Sequence, residues 1–552
     1  MLKLEVVEGS NFIPFTFLQE INKETCLRSS NGSLIPALNI FTFALEFFKT
    51  HALQELSDLS GTRMLNEDIR WVITVPAIWR AQAKQFMRQA AYKAGIASED
   101  CPTQLLIALE PEAASVCCRK LRMHQMVPDP RSSPLPLMVP RRATSQPKNL
   151  DHALPDIKED PNTKASESVS LSGFPQTKES DLTKGTRYMV VDCGGGTVDI
   201  TVHEIQDNRG RLRELYKATG GPYGSVGVDI EFENLLCGIF GTDFIQHFQQ
   251  KRPAGWDDLM IAFESRKRSA CPDKPNSLNV SLPFSFIDLY KKSKGGQVES
   301  AVRKYGDPNI RWSSQGMLRL APEAMRRLFL PTLNRIKQTI GDIMNNPDAR
   351  GLSYLFLVGG FAESRILQSE IRKEFGHIVR VIIPQGVSLA ILEGAVLFGW
   401  DPSVVNIRRS RLTYGIGVLN RFDPTKHPEE KKLSKNGVDW CTDVFECFVK
   451  INQEVSLGDT VLRSYTPARP GQRSTIINIF CSERPDVRFV TDDGVRRCGT
   501  LCLDLTDSQY QPMPNRREIQ TRMFFGDTEI KVTALDVATG KFVRAGIDFL
   551  SK

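Results

Sequence analysis

RYMVVDCGGGTVDITVHE, residues 187–204, is the stretch whose reading decides the fold. A short apolar run, residues 188–191, delivers Asp192 to its end, and after Cys193 come Gly194, Gly195 and Gly196. Thr197, Val198 and Asp199 follow, then the alternation Ile200-Thr201-Val202-His203. The pattern predicts strand, glycine turn, strand. Glycine at three successive positions permits dihedrals that other residues avoid and lets a ligand approach the main-chain amides. A nest of such amides suits phosphate oxygens. Two flanking carboxylates would repel a bare polyphosphate. Asp192 and Asp199 therefore make sense with a divalent cation and its waters between them and the phosphates. A tight hairpin with incidental acids is the plainer alternative. The lysine of a Walker-type loop is absent, so GxxxxGK[ST] chemistry does not apply.

Working outward, residues 354–358 (YLFLV) repeat the apolar strand, closed by Gly359 and Gly360. There the sequence Phe361-Ala-Glu-Ser364 leads straight into a helix, and strand-glycine-helix suits the base or ribose of a nucleotide. Residues 379–383 predict another strand, and Leu389, Leu392, Ala395 and Val396 a helix ending near Gly399. Upstream, Leu38, Phe41, Leu45, Phe48, Leu53 and Leu56 give residues 37–56 helical periodicity. Residues 71–75 predict a buried strand stopped by Pro76, and 81–94 a helix with Gly95 as its C′ residue. Residues 105–109 predict a strand leading into Glu110-Pro-Glu-Ala-Ala114 and a short helix. Residues 1–35 are hard to place.

Between these halves, Gly220 and Gly221 offer a second phosphate contact that is weak alone, before an amphipathic helix to about residue 249. Residues 256–271 predict a helix carrying Glu264, Lys267 and Arg268, whose basic groups either reach a nucleotide or line a surface. Residues 278–289 predict one or two strands, and Pro322 the first turn of a helix to about residue 340. Alternating strands and helices argue an α/β domain with its function at strand ends, a nucleotide lying between the two halves. Beyond about residue 406 the texture changes to short β-like segments separated by Gly, Pro and Asp turns, which predicts a β-sandwich. Residues 128–185 carry nine prolines, much serine and threonine and little apolar period, which predicts a disordered insertion. Seven basic residues against Asp129 alone in residues 119–148 make either a solvated linker or a docking site for an acidic partner.

The 552 residues allow roughly two to four domains. With 41% apolar and 24% charged residues and a net charge of +7, nothing implies nucleic acid or membrane-surface binding. No run approaches the roughly 18 apolar residues of a membrane span. The N-terminus has no signal-peptide pattern. Twelve cysteines without CxxC spacing read as reduced thiols, and seven histidines show no HExxH or ligand spacing. A cytoplasmic location is expected.

Together these pieces resemble the 70-kDa heat-shock chaperones, within the actin-like ATPase group. DCGGGTVD (192–199) is similar to that family's second phosphate motif, and VITVPA (72–77) and EPEAA (110–114) to its strand-to-helix and first connecting elements. Glu264, Lys267 and Arg268 resemble its adenosine-gripping helix, LVGG (357–360) its adenosine motif, and EGAV (393–396) its second connecting helix. The runs WVITVPAIW, KQFMRQAAY, ALEPEAAS, KATGGPYGS, MIAFESRKR and LPFSFID resemble the divergent 12A/12B branch. The resemblance implies an α/β, actin-like two-lobed ATPase domain over residues 1–405, with the insertion at 121–186. A β-sandwich substrate-binding-like domain without a helical lid would follow at 406–552. It implies ATP and Mg²⁺ as cofactors and, at most, weak ATP hydrolysis. Asp192 and Asp199 would hold the metal, Thr197 the γ-phosphate, and Glu110 would order its water shell or the attacking water. Gly194, Gly195, Gly196, Gly220 and Gly221 would cradle phosphates. Glu264, Lys267, Arg268, Gly359 and Gly360 would hold ribose and adenine. Protein or peptide clients or signalling partners are the implied partners.

Four departures bear on this. Phe361 and Glu363 stand where the family has Ser and Arg, and Ser388 where it has an acid. The family's opening Asp-x-Gly-Thr-Thr hairpin has no match in residues 1–70, which predicts an incomplete first lobe and an N-terminally shortened chain. Its catalytic lysine has only Lys3 as a candidate. The chain is therefore expected either to couple ATP to the β domain or to act as a non-enzymatic scaffold on the same fold.

Overall fold

A computed structural model describes residues 5–8, 11–13, 21–28, 33–121, 182–272, 276–435, 437–466, 472–506 and 517–550. Lys3 and most of the expected insertion, residues 122–181, lie outside the described residues.

The hairpin forms as its sequence dictates. Strands Arg187–Cys193 and Val198–Ile205 pair antiparallel, in the register that sets Asp192 directly opposite Asp199. They sit at the centre of a seven-stranded sheet. On one side lie Tyr354–Val358 and Arg380–Ile382, both parallel. On the other lie Leu212–Gly221, then Val405–Arg409 and Glu454–Ser456. Strand alternation sends Met189, Val191 and Cys193 into a core shared with helices Val226–Phe240, Pro322–Met344 and Arg365–Phe375. Tyr188 and Val190 point to the opposite layer, with Phe356, Val358 and helices Glu110–Cys118 and Ala390–Trp400. A sheet covered on both faces reads as an unbroken apolar run, which is why residues 188–191 show no polar alternation.

The first lobe is smaller. Trp71–Val75 and Leu105–Leu109 make a parallel pair, packed by helices Ala37–Ser60 and Ala81–Lys93. Residues 1–35, unplaced from sequence, contribute three short strands and part of a fourth, Leu34–Pro36, to a four-stranded sheet. The Glu110–Cys118 and Ala390–Trp400 helices touch so closely that a side chain at Gly394 would meet the Ala113 carbonyl. The first of these helices is pinned to the central hairpin by Ser115. Its Oγ lies 2.7 Å from His203 Nδ1 and 2.9 Å from Tyr188 Oη, all buried.

The C-terminal part has nine strands in one hydrogen-bonded order, from Lys432–Lys435 at one edge to Thr460–Tyr465 at the other. Ile416, Ile479 and Leu501 share a core with Met523 and Ala534 from the far half of that order, so the sheet curls on itself. The strand Val405–Arg409 straddles the expected change of texture at 405/406 and belongs to the central sheet. Arg408 on it is buried and holds Glu112 through two bonds, 2.9 and 3.0 Å, while also donating to the Gly526 carbonyl. Arg88 pairs with Glu529 at 2.9 and 2.6 Å, and Lys84 donates to the Thr528 carbonyl at 2.8 Å.

Two readings need correction. Residues 278–289 are a strand only at Leu278–Ser281; after Pro283 the chain becomes the helix Phe284–Lys294. Phe286, Ile287, Leu289 and Tyr290 face the core from that helix, a spacing that suits turns of helix as well as a short strand. The helix expected through residue 249 is broken at Gly241, whose φ of 91° no helix accommodates. Among the described residues no helix is long and apolar enough to cross a membrane, and all twelve cysteines are free.

Two measurements test this packing. Burial would raise the Glu112 carboxyl, but the Arg408 guanidinium overcomes it and holds the group below its ordinary range. Arg408→Met therefore leaves a buried charge unpaired and should cost about 3–5 kcal/mol in urea unfolding, with Glu112→Gln added to it recovering part of the loss. His203 is the pH probe. Burial lowers it from 6.5 to about 4, so the unfolded chain binds the extra proton between those values. Stability from this group is complete above pH 6.5 and falls as pH drops towards 4. The loss between pH 7 and 5 should be about 2 kcal/mol, and His203→Gln should flatten that slope in melts at the two pH values.

Candidate functional site

The acids come together. Asp192 and Asp199 are 2% and 0% exposed, and directly opposed like charges are destabilising. Glu110 opens the Glu110–Cys118 helix beside them. Burial, then Asp192, then Asp199 push its carboxyl well above the ordinary range. Burial and then Asp199 push Asp192 up to about 8. Asp199 rises to about 6 through burial, partly offset by the Thr197 hydroxyl and the amides of Ile78 and Ala77. Asp192 Oδ1 and Asp199 Oδ2 are buried without a hydrogen-bond partner among the described residues. Two buried carboxylates, each with one oxygen left without a partner, fit a cation. Among the described residues no three His, Cys, Asp or Glu side chains could cage a metal ion by themselves. Two carboxylates therefore suit a cation that keeps waters and takes ligands from a second partner.

The glycines explain their own presence. The Gly194 amide donates to the Thr197 carbonyl, and the carbonyls of Gly194, Gly195 and Gly196 accept from Ser225, Val226 and Gly224. The amides of Gly195 and Gly196 have no hydrogen-bond partner among the described residues, and Gly195 lies exposed at the tip. Gly220 stands opposite Asp199, and a side chain there would meet the Val198 carbonyl. Gly221 is buried under the Tyr223 ring. Gly359, at φ 87°, lies against Asp192 Oδ1, and a side chain on it would strike that oxygen. Gly360 next to it has open space.

Glu264, Lys267 and Arg268 form an ion network, not free arms. Lys267 is buried and reaches both oxygens of Asp229 at 2.9 Å and Glu264 at 2.5 Å. Arg268 meets Glu264 at 2.7 Å and Glu363 at 3.8 Å. Glu363 closes the turn Gly360–Glu363, so the network touches the element that carries Gly359 and Gly360. Asp229 lies in the first turn of the helix Val226–Phe240, next to the glycine-bonded segment 224–226.

Sequence reasoning missed three contributors. Ala77 and Ile78 cap Asp199 with backbone amides, which no side-chain pattern marks. Gly224 buttresses the turn, legible only as one more glycine in residues 218–229. Arg411, from the C-terminal part, donates to the Trp79 carbonyl on the turn that caps Asp199.

No family model matches the chain. It is 54% identical to heat shock 70 kDa protein 12A of Mus musculus over 533 residues, covering 96% of this chain and 78% of that protein. The Homo sapiens protein of the same name is 54% identical over 532 residues, with the same shares. Heat shock 70 kDa protein 12B of Homo sapiens is 52% identical over 540 residues, again covering 96% and 78%.

Repulsion across the hairpin gives an unusual expectation. In EDTA at pH 8, Asp192→Asn should raise the chain's stability by about 1–2 kcal/mol, because a buried like charge is removed. Adding Mg²⁺ should stabilise the unchanged chain and leave the variant where it was. Equal Mg²⁺ shifts in both, read by differential scanning fluorimetry, would remove the cation from this site.

Proposed function

The chain belongs to the heat shock 70 kDa protein 12A/12B branch of the 70-kDa heat-shock family, and on that premise we propose that it binds ATP with Mg²⁺ at the central hairpin and couples that state to its β-rich part. The observation that carries the reading is the pair of buried carboxylates, Asp192 and Asp199, each with one oxygen lacking a hydrogen-bond partner among the described residues, beside two glycine turns. Mg²⁺, when bound, would neutralise phosphate charge and order water. The chain's own residues do the rest. Asp192 and Asp199 hold the hydrated cation, and Gly195 and Gly196 offer amides to phosphate oxygens. Thr197, bonded to Asp199, would meet a terminal phosphate oxygen. Glu110, buried beside the two aspartates, would order the same water shell. Glu264, Lys267, Arg268, Gly359 and Gly360 form the nucleoside side, with Gly220 and Gly221 on the far side of the phosphates. Phosphoryl transfer needs positioning and charge compensation more than covalent help.

The C-terminal strands would serve as a β-sandwich substrate-binding-like module for protein or peptide clients in the cytoplasm. A second reading is binding without turnover, as a non-enzymatic scaffold on the same fold.

Calorimetry separates these. We expect Mg²⁺-dependent ATP binding with a Kd of about 10–100 µM, or about 5.5–7 kcal/mol. The double variant Asp192→Asn, Asp199→Asn should lose it. Phosphate release near background at saturating ATP would favour the scaffold reading, while absence of Mg²⁺-dependent heat in the unchanged chain would sink both.

A further inference from the structure

Away from that site, strands Ser474–Ser482 and Arg496–Asp504 pair antiparallel, and their register slips once. Ile479 faces Gly499 while Phe480 faces Arg497, which makes Cys498 the extra residue of a bulge. An extra residue re-aims its side chain. Here the Cys498 thiol reaches Cys481 as a hydrogen-bond partner and also lies 3.6 Å from the Ile479 carbonyl. Arg496 stands directly opposite Cys481, with Nε 3.5 Å from its sulfur. The groups facing Cys481 are thus Arg496 and Cys498 from one neighbouring strand and Tyr414 from the other. Arg80 joins them from the turn ahead of the Ala81–Lys93 helix. The Cys498 hydrogen bond, then Arg496 and Arg80, hold the Cys481 thiol below its ordinary range against the effect of burial; the shared proton and burial push Cys498 up. Cys481 is 1% exposed and Cys498 half-buried, so the pair meets solvent on the Cys498 side.

We propose that Cys481 and Cys498 form a peroxide-reactive dithiol site, with Cys481 as the attacking sulfur, Cys498 as the resolving one and Arg496 as the residue that positions and stabilises the thiolate. The Cys481 thiolate bonds to one oxygen of hydrogen peroxide as the O–O bond breaks. The departing hydroxide takes a proton and leaves as water, so sulfur is oxidised to sulfenic acid and peroxide is reduced. Cys498 then displaces the sulfenic hydroxyl, its thiol proton completing a second water, and the S–S bond forms. Both electrons come from the two thiols, so no further oxidant is required.

The test treats the reduced full chain with hydrogen peroxide at pH 7 and maps its thiols by mass spectrometry. Exposed Cys101 and Cys502 serve as internal references. A dithiothreitol-reversible Cys481–Cys498 disulfide should appear at peroxide doses that leave both references reduced. Cys498→Ser should instead accumulate a dimedone adduct on Cys481. Arg496→Ala should slow that adduct about tenfold at pH 7 and move the pH profile of Cys481 alkylation upward, with Arg496→Lys restoring part of the rate. The reduced wild-type chain alone decides the main point. Oxidation of Cys101 and Cys502 before the pair, or a Cys481 as inert as buried Cys118, would overturn the proposal.

Discussion

Two carboxylates facing each other across one hairpin are the constraint on which the rest of this structure depends. Asp192 and Asp199 are fixed opposite one another by strand register, and a one-residue slip would send a strand's side chains from one packed core layer into the other. Met189, Val191, Tyr188 and Val190 are all fully buried on one face or the other. The hydrophobic layers therefore enforce an electrostatically unfavourable contact. A fold keeps such a contact when something outside the chain relieves it, and the neighbouring glycines show where that relief enters. Gly359 and Gly220 leave no room for side chains beside the two acids, while the amides of Gly195 and Gly196 have no hydrogen-bond partner among the described residues.

The same acids are tied to the β-rich part by a short physical path. Asp199 takes the Ile78 amide at 3.2 Å, and the carbonyl of Trp79, one residue on, accepts from Arg411. Three residues before Arg411, Arg408 is locked onto Glu112, two residues into the helix that Glu110 begins. Glu214, also buried, accepts from the Arg409 amide at 2.6 Å and the Ala218 amide at 2.7 Å. The strand Val405–Arg409 thus reads both sides of the hairpin at once. A buried ion pair such as Glu112–Arg408 adds little net stability over an apolar pair, but its loss of geometry is expensive. That asymmetry suits a joint that holds one arrangement and resists intermediate ones.

Much of this was legible in the sequence, and the failures have physical causes. The hairpin, both glycine turns and the Glu110 helix could be read because apolar runs and glycines mark them directly. The Val438–Val449 strand was not seen, since Asp439, Asp443 and Glu446 interrupt its apolar pattern and Asp443 adopts a φ of 59°. Val405–Arg409 was missed because Arg408 and Arg409 look solvated until Glu112 and Glu454 are placed against them. Of residues 278–289, read as strand, those from Phe284 on were misread because a short apolar stretch does not distinguish strand from helix. The site residues carried the opposite difficulty. Glu264, Lys267 and Arg268 were identifiable as a group, but sequence gave no sign that Asp229 and Glu363 already engage them.

Those two acids change how the nucleoside side must work under the proposed reading. Lys267 is buried between Asp229 and Glu264, so its charge is spent inside the protein and its role there is to hold the helix. Arg268 stays largely exposed, between Glu264 and Glu363. Stacking of a base on its guanidinium uses the plane, whereas ion pairing uses the edge, so the two are compatible. Glu363 supplies the converse of the arginine found at that place in the resembling family. It offers hydrogen-bond acceptors, and an exposed acid there favours a base edge that donates, such as an amino group, over one that only accepts. Discrimination between bases would then rest on this single acid and on the open space beside Gly360, while affinity would rest on the carboxylates and amides of the central hairpin.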